Sequence, residues 1–151
     1  MHWFPQEFFQ YVNSPKCGVC RGNTMPVDDG TGTAVLQVAP LPEEIALSAN
    51  KVELYRCPRE GCGAATRFAR YTDAFVLMRE GFRRGRVGEH INTFGMLCRA
   101  LGSRVRWVWT LWNNEDHSWV EVYSEHRKRW IHVDPIERKW DNPTMYTQGE
   151  S

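Results

Sequence analysis

The sequence has almost no excess of either charge: among 151 residues, 19 lysines and arginines stand against 18 aspartates and glutamates, a formal net charge of +1. That balance removes the broad electrostatic case for a nucleic-acid partner or an anionic membrane surface. No uninterrupted apolar run approaches the roughly 20 residues of a membrane helix. No internal repeat is present, so repeat architectures are excluded. Met1, His2, Trp3 and Pro5 do not form the basic stretch and apolar segment of a secretory leader, and an intracellular setting is expected. Four arginines, Arg79, Arg83, Arg84 and Arg86, form a local basic run, which reads first as solvated or packed surface.

Cysteine is also scarce, at five residues, yet four of them fall in two pairs: Cys17 with Cys20, and Cys57 with Cys62. In a reducing compartment such pairs indicate metal binding before disulfides. The short gap lets Cys17 and Cys20 present two sulfurs from one turn, with Gly18 easing the bend. Gly61 and Gly63 can relax the backbone around Cys62. Four thiolates complete a closed tetrahedral shell, so the expected cofactor is one structural zinc ion with no position for a catalytic water. Disulfides and unligated thiols are the alternatives. Such an ion would tie a loop-rich module together, because metal binding couples directly to folding. Cys98 is expected to be a small buried side chain on a helix.

Pro5 with Phe8, Phe9 and Val12 predicts a short helix over 3–12. Val52 and Leu54 predict a strand leading into Cys57. A second helical stretch begins at Asp73. The strongest helix signal runs from Glu89 to Leu101, where Ile91, Phe94, Leu97, Cys98 and Leu101 recur at helical spacing and Gly102 is placed as terminator. Val105, Trp107, Trp109 and Leu111 then alternate in strand fashion, and SWVEVY and RWIHVD supply two more strands. The fold class is α+β. Residues 1–72 are read as an N-terminal helix and cysteine module, and 73–151 as the core, the two closely packed as one unit.

The last two strands form a hairpin that can bring His117 to Asp134. If those residues are directly opposed, Trp119 faces His132, Tyr123 faces Lys128, and 124–127 form the turn. Opposed Cβ atoms lie about 5 Å apart, close enough for Asp134 to orient the imidazole, while Trp119 and His132 would line a cleft. A strand-end surface histidine and a turn aspartate remain the plainer alternative. Histidine-assisted nucleophilic chemistry needs a third group, and a helix start, whose amides stabilise a thiolate, is a suitable place for it. Position 87 is such a place, and it holds valine.

Five stretches in order, FFQYVNSPKCGVC, LYRCPREGCGAATRFARY, GRVGEHINTFGMLCRALG, RWVWTLWNNEDHSWVEVYS and RWIHVDPIE followed by WDNPTMY, resemble the cytoplasmic peptide:N-glycanases, with a fungal-type pattern, within the transglutaminase-like superfamily. The resemblance implies a transglutaminase-like, papain-like core with an N-terminal four-cysteine zinc module. It implies that Val87 occupies the place of the nucleophilic cysteine, His117 that of the base, Asp134 that of its orienting acid, and Cys17, Cys20, Cys57 and Cys62 those of the zinc ligands. Glu89, His90, Trp119 and His132 are the substrate-cleft candidates. Besides Val87, the chain has His90 where the family has tryptophan and Ile136 where a cysteine often stands, a clustering that points to natural divergence. Six tryptophans, Trp107, Trp109, Trp112, Trp119, Trp130 and Trp140, are either core or sugar-stacking surface. The implied role is a catalytically inactive binding or scaffold protein in glycoprotein quality control and degradation, in the cytoplasm and extending to the nucleus. Its implied partners are misfolded N-glycoproteins or glycopeptides, ubiquitin-shuttle receptors and proteasome-associated proteins; membrane and nucleic-acid partners are not expected. A weakly active amidase and a noncatalytic DNA-repair scaffold are the alternatives.

Overall fold

The computed structural model describes residues 3–32, 34–112 and 115–145. In chain order its elements are a π-type turn at Phe4–Phe8, β1 (Gln10–Tyr11), β2 (Met25–Pro26), β3 (Gln37–Val38), α1 (Pro42–Ala46), β4 (Ala49–Arg56), β5 (Ala65–Tyr71) and α2 (Ala74–Leu77). There follow β6 (Arg84–Gly85), α3 (Val87–Ala100), β7 (Val105–Trp112), β8 (Glu115–Ser124), β9 (Arg129–Asp134) and β10 (Lys139–Trp140). Helix and strand are mixed, and none of the described helices is long and apolar enough to cross a membrane. The chain divides into two compact units, one of Val12–Leu77 and one of Met1–Tyr11 with Met78–Ser151.

In the first unit, β4 is the central strand. It pairs antiparallel with β5 along one side and with β2 and then β3 along the other. The expected strand is therefore present, but its burial is not a simple alternation: Val52, Glu53 and Tyr55 are all buried, and Leu54 only partly. Glu53 is tolerated inside because Arg70 donates to its carboxylate at 2.9 Å and the Tyr55 hydroxyl at 3.0 Å. A buried carboxylate left without such donors would cost several kcal/mol, roughly the range of broken buried ion pairs.

In the second unit, α3 lies on a four-stranded antiparallel sheet of order β10-β9-β8-β7. Ile91 from the helix joins Val105, Val120, Ile131 and Val133 from the strands in a buried apolar cluster, with Val87, Phe94, Cys98, Val122 and Ile136 packed around it. The helix stops where the sequence predicts. Gly102 adopts φ 86°, its N–H donates to the Arg99 carbonyl at 2.9 Å, and the Ser103 N–H donates to the Cys98 carbonyl at 3.1 Å. That pair of bonds is a Schellman closure, which glycine permits without Cβ strain. Cys98 sits against the cluster but is only partly buried.

The N-terminal segment, expected as a helix belonging with the cysteine module, is a single π-type turn followed by β1, and it belongs to the unit containing α3. The reason is aromatic packing. The Phe4 ring lies 4.9 Å from the His90 ring and 5.1 Å from Phe94, and Phe9 lies 5.2 Å from His90. β1 also pairs in parallel with β6, and Gln10 N–H donates to the Arg83 carbonyl at 2.8 Å.

The tryptophans divide between the two expectations. Trp119 and Trp130 are half-buried, whereas Trp107, Trp109 and Trp140 are 41%, 64% and 56% exposed. The side chain of Trp112 lies outside the described residues. Trp107 packs its ring directly over Gly95, where an added Cβ would fall 2.7 Å from ring carbon Cζ2. Gly95→Val is therefore expected to force α3 off β7 and to lower unfolding stability by about 2 to 3 kcal/mol, the upper part of the overpacking range. The urea midpoint followed by far-ultraviolet circular dichroism measures it; a midpoint equal to that of the parent chain would refute the close seating.

Candidate functional site

The first turn of α3 is shaped by Gly85 and Glu89. The Glu89 carboxylate folds back to accept the Arg86 N–H at 3.1 Å, satisfying one of the amides that every helix start leaves open. Gly85 makes the fold-back possible, since a Cβ there would fall 2.5 Å from that of Glu89. Val87 is the first residue of the helix, so position 87 is indeed a helix start. Its side chain rests on the cluster that contains Val120 and Val133, and Ile136 rests on the same cluster. Two of the three positions that the resemblance singles out thus meet one apolar surface.

His117 and Asp134 come together. Asp134 is fully buried, and its Oδ2 lies 2.9 Å from His117 Nε2 while Oδ1 accepts the N–H groups of Ile136 at 2.8 Å and Glu137 at 2.9 Å. Three bonds fix the carboxylate, and the carboxylate fixes the ring. The hairpin register differs from the expected one, however. Val120 faces Val133, Glu121 faces His132, Tyr123 faces Trp130 and Ser124 faces Arg129, so the turn is 125–128 and the partner of each β8 residue lies two positions further along β9. Because side chains alternate with period two, a two-residue shift leaves every side chain on its face. His117 therefore still reaches Asp134, along a diagonal, and the Trp119 ring still lies 5.6 Å from that of His132.

The expected cleft wall is largely interior. Glu89, His90 and His132 are buried at 6%, 1% and 2% exposure, and Trp119 is half-buried, 5.9 Å from the His117 ring. Glu89 serves the helix start, and its signal in the sequence was a glutamate at the third helical position. His90 is enclosed by the rings of Phe4, Phe9 and Tyr11, and among the described residues neither ring nitrogen has a hydrogen-bond partner. Burial pushes its pKa down to about 4, with the Asp134 charge acting weakly in the opposite direction. Burial likewise lowers that of His132, against the pull of Asp134 and Glu121. Both histidines are held neutral.

A separate cluster lies in the first unit, where the Sγ atoms of Cys17, Cys20, Cys57 and Cys62 all lie within 4.8 Å of one another. Cys17 and Cys62 sulfurs are 3.8 Å apart, and Cys20 and Cys57 sulfurs 3.6 Å apart. A tetrahedral ion with metal–sulfur bonds of about 2.3 Å needs sulfurs roughly 3.8 Å apart, so the donor set fits a metal. Gly61 and Gly63, at φ 77° and 56°, bend the backbone on both sides of Cys62 as the sequence predicts. Gly18 is not needed in the same way, because a Cβ there would meet nothing. The backbone N–H groups of Cys20 and Val19 draw the Cys17 pKa down to about 6. Cys57 is pushed up to about 12: the Arg59 amide favours its thiolate, but burial and the neighbouring sulfurs of Cys20, Cys62 and Cys17 outweigh that amide. Four thiolates so close together repel, and a bound cation is what would let all four ionise.

Comparison with known proteins gives a consistent picture. The family described as the transglutaminase-like superfamily matches residues 37–135. Protein png-1 of Neurospora crassa is 49% identical over 146 residues, covering 97% of this chain and 32% of that protein. The peptide-N(4)-(N-acetyl-beta-glucosaminyl)asparagine amidase of Yarrowia lipolytica is 44% identical over 149 residues, covering 99% and 38%. The amidase of the same name from Saccharomyces cerevisiae is 38% identical over 147 residues, covering 97% and 38%. The chain thus spans about a third of the length of the curated relatives it matches.

The enclosure of His90 has a measurable consequence. Its pKa is about 4 in the folded chain, against an ordinary 6.5. Between those values the unfolded chain binds the proton and the folded chain does not, so the contribution to stability is complete above pH 6.5 and is lost as pH falls toward 4. Between pH 8 and 5 this one group should lower stability by roughly 2 kcal/mol. His90→Phe is expected to remove that part of the slope. Denaturant unfolding of both chains at the two pH values checks it, and equal slopes would show that the ring is solvated.

Proposed function

We propose, from the premise that the chain belongs to the transglutaminase-like superfamily and has peptide:N-glycanases as homologues, that it is a peptide:N-glycanase-type domain that binds without cleaving. The observation that carries this reading is the contrast between Val87 and the pair His117–Asp134. In the amide-cleaving reaction that the resemblance implies, a thiolate attacks the carbonyl of a glycosylated asparagine side chain, the glycosylamine leaves, and water releases the acyl group. Asp134 accepts from Nε2 of His117, so Nδ1 is the nitrogen whose lone pair would take the nucleophile's proton. Val87 supplies only C–H bonds, and it packs against the apolar cluster beneath α3. The base and its orienting acid are retained; the group they serve is not. In other triad enzymes, losing the nucleophile removes the covalent route and most of the rate.

The cysteine cluster supports one structural zinc ion held by Cys17, Cys20, Cys57 and Cys62, since its sulfur spacing matches a closed tetrahedral shell. The ion would supply cross-linking of the first unit and no chemistry. By extension from the relatives named amidases, the ligands are N-glycoproteins or glycopeptides and the setting is glycoprotein degradation in the cytoplasm, extending to the nucleus, with ubiquitin-shuttle and proteasome-associated proteins as partners. The fixed His117–Asp134 pair beside half-buried Trp119 supports retention of a recognition surface after loss of cleavage.

Two outcomes test the reading. Overnight incubation with a denatured N-glycoprotein is expected to release no glycan detectable by mass spectrometry, whereas Val87→Cys, which puts a thiol at the helix start, is expected to restore measurable release. Glycan release by the chain itself would sink the noncleaving assignment. Elemental analysis of the purified chain is expected to find about one zinc per molecule, and Cys62→Ser to reduce that content and the thermal stability together. A metal-free chain with unchanged melting would exclude the zinc centre.

A further inference from the structure

The contacts that hold His117 and Asp134 run outward from the pair and end at Asp141. Asp134 Oδ1 takes its two backbone donors, Ile136 and Glu137, from the turn between β9 and β10. Whatever holds that turn therefore holds the carboxylate, and through it the imidazole. β10 alone is a poor anchor. It has two residues, both exposed, and it meets β9 only through Lys139 opposite Asp134 and Trp140 opposite Val133. A ladder so short frays unless something closes it.

Residue 141 closes it. Its N–H donates to the His132 carbonyl at 2.7 Å, one bond beyond the end of β10. Its carboxylate is gripped by two guanidinium groups: Arg129 donates from Nη1 to Oδ1 at 2.7 Å and from Nη2 to Oδ2 at 2.6 Å, and Arg127 donates from Nη1 to Oδ2 at 2.5 Å. Arg129 opens β9 and Arg127 lies in the turn before it, so the clamp ties the exit of β10 to the far end of β9. Isolated surface ion pairs contribute little, but a planar two-bonded fork is the exception, and the Asp141 side chain is only 16% exposed. The Arg129 bonds, helped by the Arg127 charge, hold its carboxyl below the usual carboxylate range. The two arginines depend on that charge in turn, because without it they face one another and repel. The other ion pairs of this sheet, Arg104 with Glu125 and Arg106 with Glu121, brace the β7 side and include no residue of β10 or of the turn after Asp134.

We propose that Asp141 is a positioning residue for the His117–Asp134 pair. Clamped by Arg127 and Arg129, it holds β10 on β9 and keeps the Ile136 and Glu137 amides on Asp134 Oδ1, which leaves Oδ2 to accept the Nε2–H of His117. The imidazole then presents its Nδ1 lone pair. This inference rests on the reading of the pair as a retained base with its orienting acid, but its measurement does not involve cleavage.

The ring tautomer of His117 reports the clamp. In the isotope-labelled whole chain at about pH 8, where an ordinary histidine is neutral, long-range proton–nitrogen correlation spectra separate the two tautomers, and His117→Gln identifies the signal. The parent chain is expected to carry the proton on Nε2. Asp141→Asn keeps the size of the side chain and suits the φ of 54° at that position, but it removes the charge between the arginines. It should lower the ratio of the Nε2–H to the Nδ1–H form about tenfold, the equivalent of one hydrogen bond to a charged acceptor, and Arg129→Ala should do the same. Arg104→Ala, which breaks an ion pair of the same hairpin, should leave the ratio unchanged. An unchanged ratio in Asp141→Asn and Arg129→Ala, even with a lower melting temperature, would reduce the clamp to a stability device and overturn the proposal. So would an equal change in Arg104→Ala, or a parent chain protonated on Nδ1. Glycan release by the parent chain would sink only the noncleaving assignment and leave this one standing.

Discussion

The seating of α3 on its sheet is the constraint from which the candidate site follows. Ile91 is locked into the apolar cluster of Val105, Val120, Ile131 and Val133, while Gly95 allows the Trp107 ring against the helix backbone. Together these contacts fix the height and rotation of the helix, and Gly85 with Glu89 fixes its first turn. Residue 87 has no freedom to point elsewhere. With valine there, this seating packs half-buried hydrocarbon on the cluster, and half-buried Ile136 joins it from the strand exit. An isopropyl group is close to a thiol-bearing side chain in bulk, so chemistry can be lost at this position with little change in packing.

The buried polar groups of this unit are handled in two opposite ways. Asp134 sits in the interior with three hydrogen-bond partners around its carboxylate, one on Oδ2 and two on Oδ1. His90 has no such company and stays neutral among aromatic rings. An unpaired imidazole in that position is costlier than an apolar ring of the same size would be. It persists because the Phe4 and Phe9 rings gain edge contacts with it that offset part of the loss.

Local periodicity made the main elements legible. The 3.6-residue recurrence through Ile91, Phe94 and Cys98 and the terminating Gly102 marked α3 to within two residues, and alternation marked β7, β8 and β9. Cysteine spacing alone brought four sulfurs together on paper, and the fold brings them together in space. What sequence could not supply was burial that depends on distant segments. His90 looked like a cleft residue because nothing in its own stretch reveals that Phe4 and Phe9 cover it. Glu89 was placed in the cleft although its spacing from Arg86 matches a helix-start brace. The hairpin register slipped by two because a four-residue turn fits either alignment, and only the pairing of Val120 with Val133 decides between them.

The diagonal meeting of His117 and Asp134 restricts how this hairpin can change in length over evolutionary time. A single residue inserted in β8 after His117, unless absorbed as a bulge, would invert the imidazole to the reverse side of the sheet and strand Asp134 in the interior without its ring. Insertions and deletions tolerated between His117 and Ser124 should therefore come in pairs, whether or not the site still performs chemistry, because a lone buried carboxylate would burden the fold itself.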